Sequence, residues 1–493
     1  MKPHLHFMGI GGVSMSGLAR HYLANGYRVS GCDASESDTV RLLRQEGIEV
    51  AVGHGPEHLE GVDLLVTTMA VSADEPEACE ARRRGIRTLN RMGLLGELFS
   101  SYETVAVTGT HGKSTTSGMI AHTFVELGRD PSVQLGATLP LLGSNMRSGD
   151  GPELIAEVDE SDPGFAQLSS TILFVCKKGN AFLKWSYHDP GFAQLSSAIA
   201  VIINLDDDHV AGDHEERRNY HASLADLEAA ARSFAGRAGR VVACGDWPSL
   251  GPLLTGMDDV LTYGFSEDAD YRISGLQLAT LGSSFLFTPP GGPAVQVTLT
   301  VPGVHNVQNA AAALTVAHLR GLDLAESARA LTGFGGVGRR WQRWGSDDEP
   351  LIIDDYAHHP TEVAATLKAA RNTGRRIRAV LQPHRWIRTA RLWPALADAA
   401  GLADEVIVLD VYSAGEAAIP GVSVDLIVDR LRESGKTAAH HDHDSAVDYL
   451  RGTAREGDLI ITLGAGDVWK IARELASSTL VNGRGTAALN AER

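Results

Sequence analysis

The stretch Val105-Ala-Val-Thr-Gly-Thr-His-Gly-Lys-Ser-Thr-Thr116 sets glycines, a lysine and hydroxyls between an apolar run and a helix-compatible segment. Backbone N–H groups of such a turn, together with the positive end of the helix that follows, converge on an anion. In that arrangement Lys113 reaches the β- and γ-phosphates of a nucleotide and the Ser114 hydroxyl holds Mg²⁺. Gly109, Thr110, His111, Gly112, Lys113, Ser114 and Thr115 are therefore the expected ATP cradle. The full G-x-x-x-x-G-K-[ST] spacing is not met, because Val107 stands at the first glycine position, so the turn reads as a shortened variant. Two further groups of carboxylates close apolar strands: Ile155-Ala-Glu-Val-Asp-Glu-Ser-Asp162 and Ala200-Val-Ile-Ile-Asn-Leu-Asp-Asp-Asp-His209. Each alone is compatible with a solvated strand end; beside Lys113 in one domain they suit a metal next to the phosphates.

A second glycine turn opens the chain. In Gly9-Ile-Gly-Gly-Val-Ser14, Gly9 and Gly11 take the first two positions of G-x-G-x-x-G and Ser14 replaces the third. The strand-like Leu5–Met8 precedes it, a helical apolar period (Met15, Leu18, Ala19, Tyr22, Leu23) follows, and Arg28–Asp33 reads as the next strand. Asp33 lies about 20 residues on, where an acidic ribose ligand belongs. The stretches Asp63–Thr68 and Gly85–Leu89 extend the pattern, so residues 1–98 read as a doubly wound domain gripping a nucleotide diphosphate. A dehydrogenase reading of this motif leaves the second turn at Lys113 unexplained. Residues 99–338 form the expected ATP-binding domain of alternating strands and helices. Residues 339–493 carry strands at Leu351–Asp354, Ile377–Leu381, Glu405–Leu409 and Asp458–Leu463, with a frayed tail expected from Ser477. The expected fold class is α/β in three domains: Rossmann-like, a central mononucleotide-binding domain of the P-loop ATPase type, and a second Rossmann-like unit.

Length and charge bound the partners. At roughly 150 residues per domain, 493 residues suggest three, and a 43% hydrophobic fraction fills ordinary cores. Forty-four basic against 61 acidic residues give a net charge of −17, which argues against nucleic acid or an anionic membrane as partner. Cys32, Cys79, Cys176 and Cys244 lack C-x-x-C spacing, so neither a disulfide framework nor a zinc site is suggested; buried thiols in a reducing cytosol are expected. The strand-like start and the lack of any apolar run near 18 residues give the expectation of a cytoplasmic protein without membrane insertion.

Taken together, the motifs resemble the Mur ligases of peptidoglycan assembly, and among them those that add L-alanine. The resemblance covers nearly the whole chain. It rests on His6–Ala19, Thr108–Thr115, Asp159-Glu-Ser-Asp162, Asn204 with Asp208-His209, Pro302-Gly-Val-His-Asn-Val-Gln-Asn309, Gly338-Arg-Arg340, Asp354-Asp-Tyr-Ala-His-His-Pro-Thr-Glu362, Gln382-Pro-His-Arg-Trp-Ile-Arg-Thr389, Asp410–Glu416 and Leu463-Gly-Ala-Gly-Asp467. It implies an ATP-dependent amide ligation in which the lactyl carboxylate of UDP-N-acetylmuramate takes the γ-phosphoryl group and the L-alanine amine attacks the acyl phosphate. It further implies one Mg²⁺ held by Ser114 and Glu160, a second held with the help of His209, and an adenine-contacting turn at His305 and Asn306. Asp355, Tyr356, His358 and His359 resemble the segment that closes over nucleotide and amino acid, and Arg339 and Arg340 lie at the implied hinge, within reach of phosphate on closure. Arg385 and Arg388, three apart, share a face if helical, suited to a carboxylate or phosphates. For the UDP end the resemblance implies Gly11, Gly12 and Ser14 at the diphosphate, with Asp33 and His54 nearer ribose and base. The expected partners are small molecules, and the chain is expected to act as a monomer or homodimer. The nearest alternatives are a family member that attaches a recovered peptide to the same sugar nucleotide, and a non-catalytic nucleotide- or UDP-sugar-binding homologue.

One feature departs from the family pattern. Asp-Pro-Gly-Phe-Ala-Gln-Leu-Ser-Ser occurs at 162–170 and again at 189–197, a displacement of 189 − 162 = 27 residues. A tolerated surface extrusion, an inactivating duplication and an error in the recorded sequence all account for it. Doubling a loop costs only about 0.6 kcal/mol, so the second copy is expected to pack natively while 163–188 bulges outward. Deleting residues 162–188, with Asp189 taking the place of Asp162, is then expected to leave ADP release and melting temperature unchanged or raised; a fall in either overturns the extrusion reading.

Overall fold

The computed structural model describes residues 2–68, 71–72, 74–160, 198–208, 210, 221, 223–344 and 350–482. Both copies of the repeat and the segment between them, together with His209, lie outside the described residues. The chain forms two compact units: Met1–Ile273 with Thr288–Pro293 and Asn309–Ala330, and Ser274–Phe287 with Ala294–Gln308 and Leu331–Arg493.

The first unit begins with β1 (His4–Met8), α1 (Val13–Ala24), β2 (Arg28–Asp33), α2 (Asp38–Gln45), β3 (Glu49–Val52), β4 (Leu64–Thr67), α3 (Pro76–Arg84), β5 (Arg87–Asn90) and α4 (Arg91–Phe99). Its parallel sheet runs in the order β3-β2-β1-β4-β5, so the direction of winding reverses between β1 and β4. Such a reversal opens a crevice at the carboxyl ends of the strands, and Gly9–Gly12 sits there. The remainder of the unit holds β6 (Glu103–Thr108), α5 (Lys113–Glu126), β7 (Ser132–Leu139), β8 (Ser144–Arg147), β9 (Glu153–Glu157), β10 (Ile199–Ile202), α6 (Leu224–Ala235), β11 (Val241–Cys244), α7 (Leu250–Leu254), β12 (Val260–Gly264) and the start of β13 (Tyr271–Ala279). Its strands lie in the order β12-β11-β10-β6-β9-β7-β8, with β8 antiparallel to β7. Central β6 pairs in parallel with β10 on one side and β9 on the other, and Val105, Ala106 and Val107 are fully buried. This burial on both faces explains why the strand reads as an unbroken apolar run.

The second unit contains the hairpin of β14 (Gly282–Thr288) and β15 (Val295–Leu299). Helices α8 (Val304–Leu319) and α9 (Leu324–Thr332) follow in the chain and belong, from Asn309 to Ala330, to the first unit. Then come β16 (Gln342–Trp344), β17 (Leu351–Asp355), α10 (Pro360–Arg371), β18 (Arg376–Leu381), α11 (Trp386–Ala400), β19 (Glu405–Val408), α12 (Asp425–Glu433), β20 (Thr437–His440), α13 (His443–Thr453), β21 (Asp458–Leu463) and α14 (Trp469–Asn482). The sheet order is β16-β17-β21-β18-β19-β20, parallel except for β16. Alternate strand residues feed two cores: Ile353, Ala379, Val406 and Ile461 pack with α10, α11 and α12, while Ile352, Val380, Ile407 and Ile460 pack with α13 and α14.

Three expectations change. The central segment is not a uniform alternation, since β7–β8 and β14–β15 are antiparallel hairpins. Helix α14 continues past Ser477 to Asn482, and the rest of the tail lies outside the described residues. Cys79 is exposed, whereas Cys32 and Cys244 are buried as expected. Among the described residues no helix is long and apolar enough to cross a membrane.

Within the first unit α1 packs on the β7–β8 hairpin, and His21 sits in that seam with its Nδ1 2.9 Å from Ser148 Oγ. Burial pulls its pKa from 6.5 down to about 4. A folded-state value below the unfolded one contributes stability that is present above pH 6.5 and lost as pH falls through 4. The contribution is at most about 3 kcal/mol at 1.36 kcal/mol per unit. His21→Gln is therefore expected to lose about that much less stability than the parent between pH 7 and pH 4 in urea titrations; equal losses would remove the assignment.

Candidate functional site

Strand β6 ends at Thr108 and α5 begins at Lys113, leaving four residues to turn the chain. Gly109 holds φ +132° and Gly112 φ +85°, both in the region that disfavours side chains. Space is equally restrictive: a Cβ on Gly109 would lie 2.9 Å from Asn204 O, and one on Gly112 would lie 2.8 Å from Asn309 Oδ1. Asn204, just beyond β10, clamps the turn from the neighbouring strand. Its Oδ1 accepts from His111 N at 2.8 Å, its Nδ2 donates to His111 O at 3.0 Å, and its backbone O accepts from Thr110 N. Asp206 N donates to Thr110 Oγ1, and His111 Nε2 lies 2.9 Å from Asp206 Oδ2. Thr116 Oγ1 donates to Asn309 Oδ1, fixing the first turn of α5.

Lys113 Nζ lies 2.8 Å from Glu160 Oε2 and 2.8 Å from Gly109 O. Glu160 stands just beyond β9, is fully buried, and has its backbone carbonyl accepting from His221 Nε2. Burial pushes the Glu160 carboxyl up to about 7 against the pull of Lys113. Burial also works against the Lys113 ammonium, but Glu160, Asp159 and Glu157 more than offset it and hold its pKa above the usual lysine value. Ser114 and Thr115 are buried in the first turn of α5. The structure thus joins two of the three residues expected at the reacting centre; the third, His209, lies outside the described residues. Asn309 and His221 carry supporting contacts that the motif pattern did not reveal.

At the first glycine turn, Gly9 N and Ile10 N donate to Cys32 O, and Gly11 N donates to Asp33 Oδ2 at 2.9 Å. A Cβ on Gly11 would lie 2.8 Å from that same carboxylate oxygen. Gly12 caps α1 and Ser14 lies in its first turn. His54 stands with its Nδ1 3.1 Å from Cys32 Sγ.

In the second unit Asp355 accepts from Trp341 N and Ala357 N, and burial lifts its carboxyl to about 6 although Arg340 opposes the shift. The Arg340 guanidinium lies 4.8 Å over the Tyr356 ring and 3.5 Å from Glu362. Arg339, at φ +59°, is committed to Asp354 and to the carbonyls of Gly464 and Gly466. His359 caps α10 reciprocally with Glu362, and His358 Nδ1 donates to Tyr356 O. Burial and then Arg340 pull His305 down to about 4, while Asn306 Nδ2 donates to Pro302 O. Arg385 and Arg388 do not share a helical face: Arg385 is the residue before α11, at φ +67°, and only Arg388 is helical. Arg385 pairs with Glu416, while buried Arg388 donates to His384 Nδ1. His384 in turn stacks on Tyr412 with centroids 5.6 Å apart, a pairing that sequence spacing does not show.

The chain matches the Mur ligase family catalytic domain over residues 4–103, the Mur ligase middle domain over 107–317, and the Mur ligase glutamate ligase domain over 339–466. A UDP-N-acetylmuramate--L-alanine ligase of Deinococcus radiodurans is 42% identical over 97% of this chain and 94% of its own length. The crystal structure of a UDP-N-acetylmuramate-alanine ligase from Thermotoga maritima superposes with a TM-score of 0.78 at 28% identity, covering 98% of this chain and all of the other. A murein peptide ligase from Psychrobacter arcticus shares the fold, with a TM-score of 0.66 at 21% identity over 98% of this chain and all of its own. With two glycine turns held as described and a near full-length relative at 42% identity, this chain belongs to the Mur ligase family.

Proposed function

We propose that this chain joins L-alanine to the lactyl carboxylate of UDP-N-acetylmuramate at the expense of ATP, in the cytoplasmic stage of peptidoglycan precursor synthesis. The observation that carries the reading is the buried Lys113–Glu160 pair at 2.8 Å under the glycine turn. A carboxylate is a poor electrophile, so the work falls to positioning and to charge neutralisation. A lactyl carboxylate oxygen attacks the γ-phosphorus, ADP leaves, the L-alanine amine attacks the acyl carbon, and phosphate departs as the amide forms.

Lys113 stabilises charge on the β- and γ-phosphates, and the N–H groups of Gly112, Lys113 and Ser114 at the start of α5 donate to phosphate oxygens, those of Thr110 and His111 being taken by Asn204. A phosphate that draws Lys113 toward itself leaves the Glu160 carboxylate buried without its counter-charge. Glu160 and the Ser114 hydroxyl are hard oxygen donors, so this pair suits Mg²⁺. Held by these two residues, the ion would neutralise negative charge on the transferring phosphoryl group. His209 keeps the assignment to a second Mg²⁺ that the resemblance implies. Gly11, Gly12 and Ser14 are assigned to the UDP diphosphate, and Asp33 and His54 to its nucleoside. His305, Asn306, Arg339, Arg340 and Asp355 are assigned to ATP, and His358, His359, Arg385 and Arg388 to the amino acid and the transferring phosphoryl group. Domain limits near residues 98 and 338 belong to the same reading.

Release of ADP is expected only when UDP-N-acetylmuramate and L-alanine are both present. Turnover with the L-alanyl-γ-D-glutamyl-diaminopimelate tripeptide in place of L-alanine would favour the recycling activity instead, and nucleotide binding without turnover would favour a non-catalytic homologue. Lys113→Ala is expected to lower kcat by about 10²–10³, the scale for removing one positioned stabiliser of transition-state charge. A variant within tenfold of the parent would take Lys113 out of the reaction.

A further inference from the structure

We infer that the first domain contains a structural zinc site formed by His6, Cys32, His58 and Glu77, remote in sequence from the phosphate turn. One donor atom from each lies within 4.8 Å of the other three. They come from four places: β1, β2, the 3₁₀ turn Pro56–Leu59, and the first turn of α3. The parallel register sets His6 opposite Ser30 and Met8 opposite Cys32, so His6 and Cys32 face the same side of the sheet.

Three of the donor pairs, all through Glu77, are in contact, and the others lie within 4.8 Å. His6 Nε2 lies 2.9 Å from Glu77 Oε1, His58 Nδ1 lies 3.3 Å from Glu77 Oε2, and Cys32 Sγ lies 3.3 Å from Glu77 Oε2. Tetrahedral zinc with bonds of about 2.0–2.3 Å needs donors roughly 3.3–3.7 Å apart, so small adjustments admit the ion.

Hydrogen-bond polarity points to a cation. Gly61 O can only accept, so His4 Nδ1, 3.0 Å away, carries the proton, and the neutral ring leaves Nε2 to accept from Ser30 Oγ at 2.8 Å. Ser30 Oγ then accepts from His6 Nδ1 at 2.7 Å. His6 Nε2 then faces a carboxylate oxygen of Glu77 2.9 Å away. His6 Nε2 and Glu77 Oε1 are buried and have no hydrogen-bond partner beyond each other. A contact this short between two acceptor-capable atoms calls for a positive charge between them, a proton or a metal ion, and the Cys32 thiol and second imidazole of His58 beside it favour the metal. The His4–Ser30–His6 chain is also the outer support that a metal-bound imidazole needs to fix its tautomer.

Charge and access agree. A divalent ion with one thiolate and one carboxylate leaves a neutral site, as burial requires, and the Cys32 proton departs to solvent on loading. Mixed sulfur, nitrogen and oxygen donors favour zinc over Mg²⁺. A cleft of about 500 Å³ lined by His4, His6, Ser30 and His58 gives the ion a path in. Four protein donors close the coordination, so the ion pins the 3₁₀ turn and α3 to the sheet.

The test uses the full-length, tag-free protein, stripped with a chelator and titrated with Zn²⁺ or Co²⁺ without nucleotide. One equivalent of zinc per chain is expected by elemental analysis, with a rise in melting temperature. Co²⁺ is expected to give a thiolate charge-transfer band in the near ultraviolet that vanishes in Cys32→Ser. His58→Gln, at a half-buried position that should leave the fold intact, is expected to weaken zinc binding by at least about 100-fold. Replacing His440, His441 and His443 together is expected to leave all readouts unchanged. Failure to bind stoichiometric zinc would assign the His6–Glu77 contact to an imidazolium–carboxylate pair and overturn the site, as would a band that survives in Cys32→Ser.

Discussion

A lysine and a glutamate, both largely shut away from water, face each other at 2.8 Å beneath the glycine turn, and the surrounding framework is arranged to keep them there. Neither charge is tolerable alone. Breaking a buried pair by removing one partner leaves an uncompensated charge and costs about 3–5 kcal/mol. The same imbalance makes the pair responsive, because a polyanion that competes for Lys113 exposes the need of Glu160 for another positive group. Burial already lifts its carboxyl to about 7 with Lys113 in place, so loss of that counter-charge drives it toward a proton or another cation.

Holding two such groups requires rigid approaches from several strands. Lys113 opens α5 directly after β6, while Glu160 follows β9 on one side of β6 and Asn204 follows β10 on the other. Three parallel strands thus deliver the base of the cradle, the acidic group and the clamp to one edge of the sheet. Asn204 bonds to both Thr110 and His111, so the turn is braced across the strand as well as along it. The two glycines are required by this bracing, since any side chain at Gly109 would meet the Asn204 backbone.

Much of this architecture was legible because its chemistry is local in sequence. Strands β1, β2, β17, β18 and β21 are buried runs in a parallel sheet, and they read as such. The short strands β3, β16 and β20 were missed because they are sheet edges, where half-exposed residues leave no apolar pattern. The phosphate turn is legible from Gly112, Lys113 and Ser114 set between an apolar strand and a helix, and the carboxylate cluster containing Glu160 from its place after an apolar strand. The helical pairing of Arg385 with Arg388 failed because spacing says nothing of where a helix starts. Arg385 takes a positive φ, which sets the chain direction for α11 and directs its guanidinium toward Glu416.

The cysteine spacing shows the limit of pattern reading from the other side. Absence of C-x-x-C argued against zinc, yet such spacing is diagnostic only when one loop supplies several ligands. In the first domain the donors are brought together by strand register and by the packing of α3 and the 3₁₀ turn, so each stands alone in the sequence. His6 and Cys32 lie on strands that also carry other polar residues (His4; Ser30 and Asp33), so nothing marks them out in the sequence, and Glu77 is an ordinary acidic residue in the first turn of a helix. What distinguishes them is convergence: the chain from Gly61 O through His4 and Ser30 orients His6 so that its Nε2 meets the Glu77 carboxylate beside Cys32 and His58. That constraint exists only once the strands are paired.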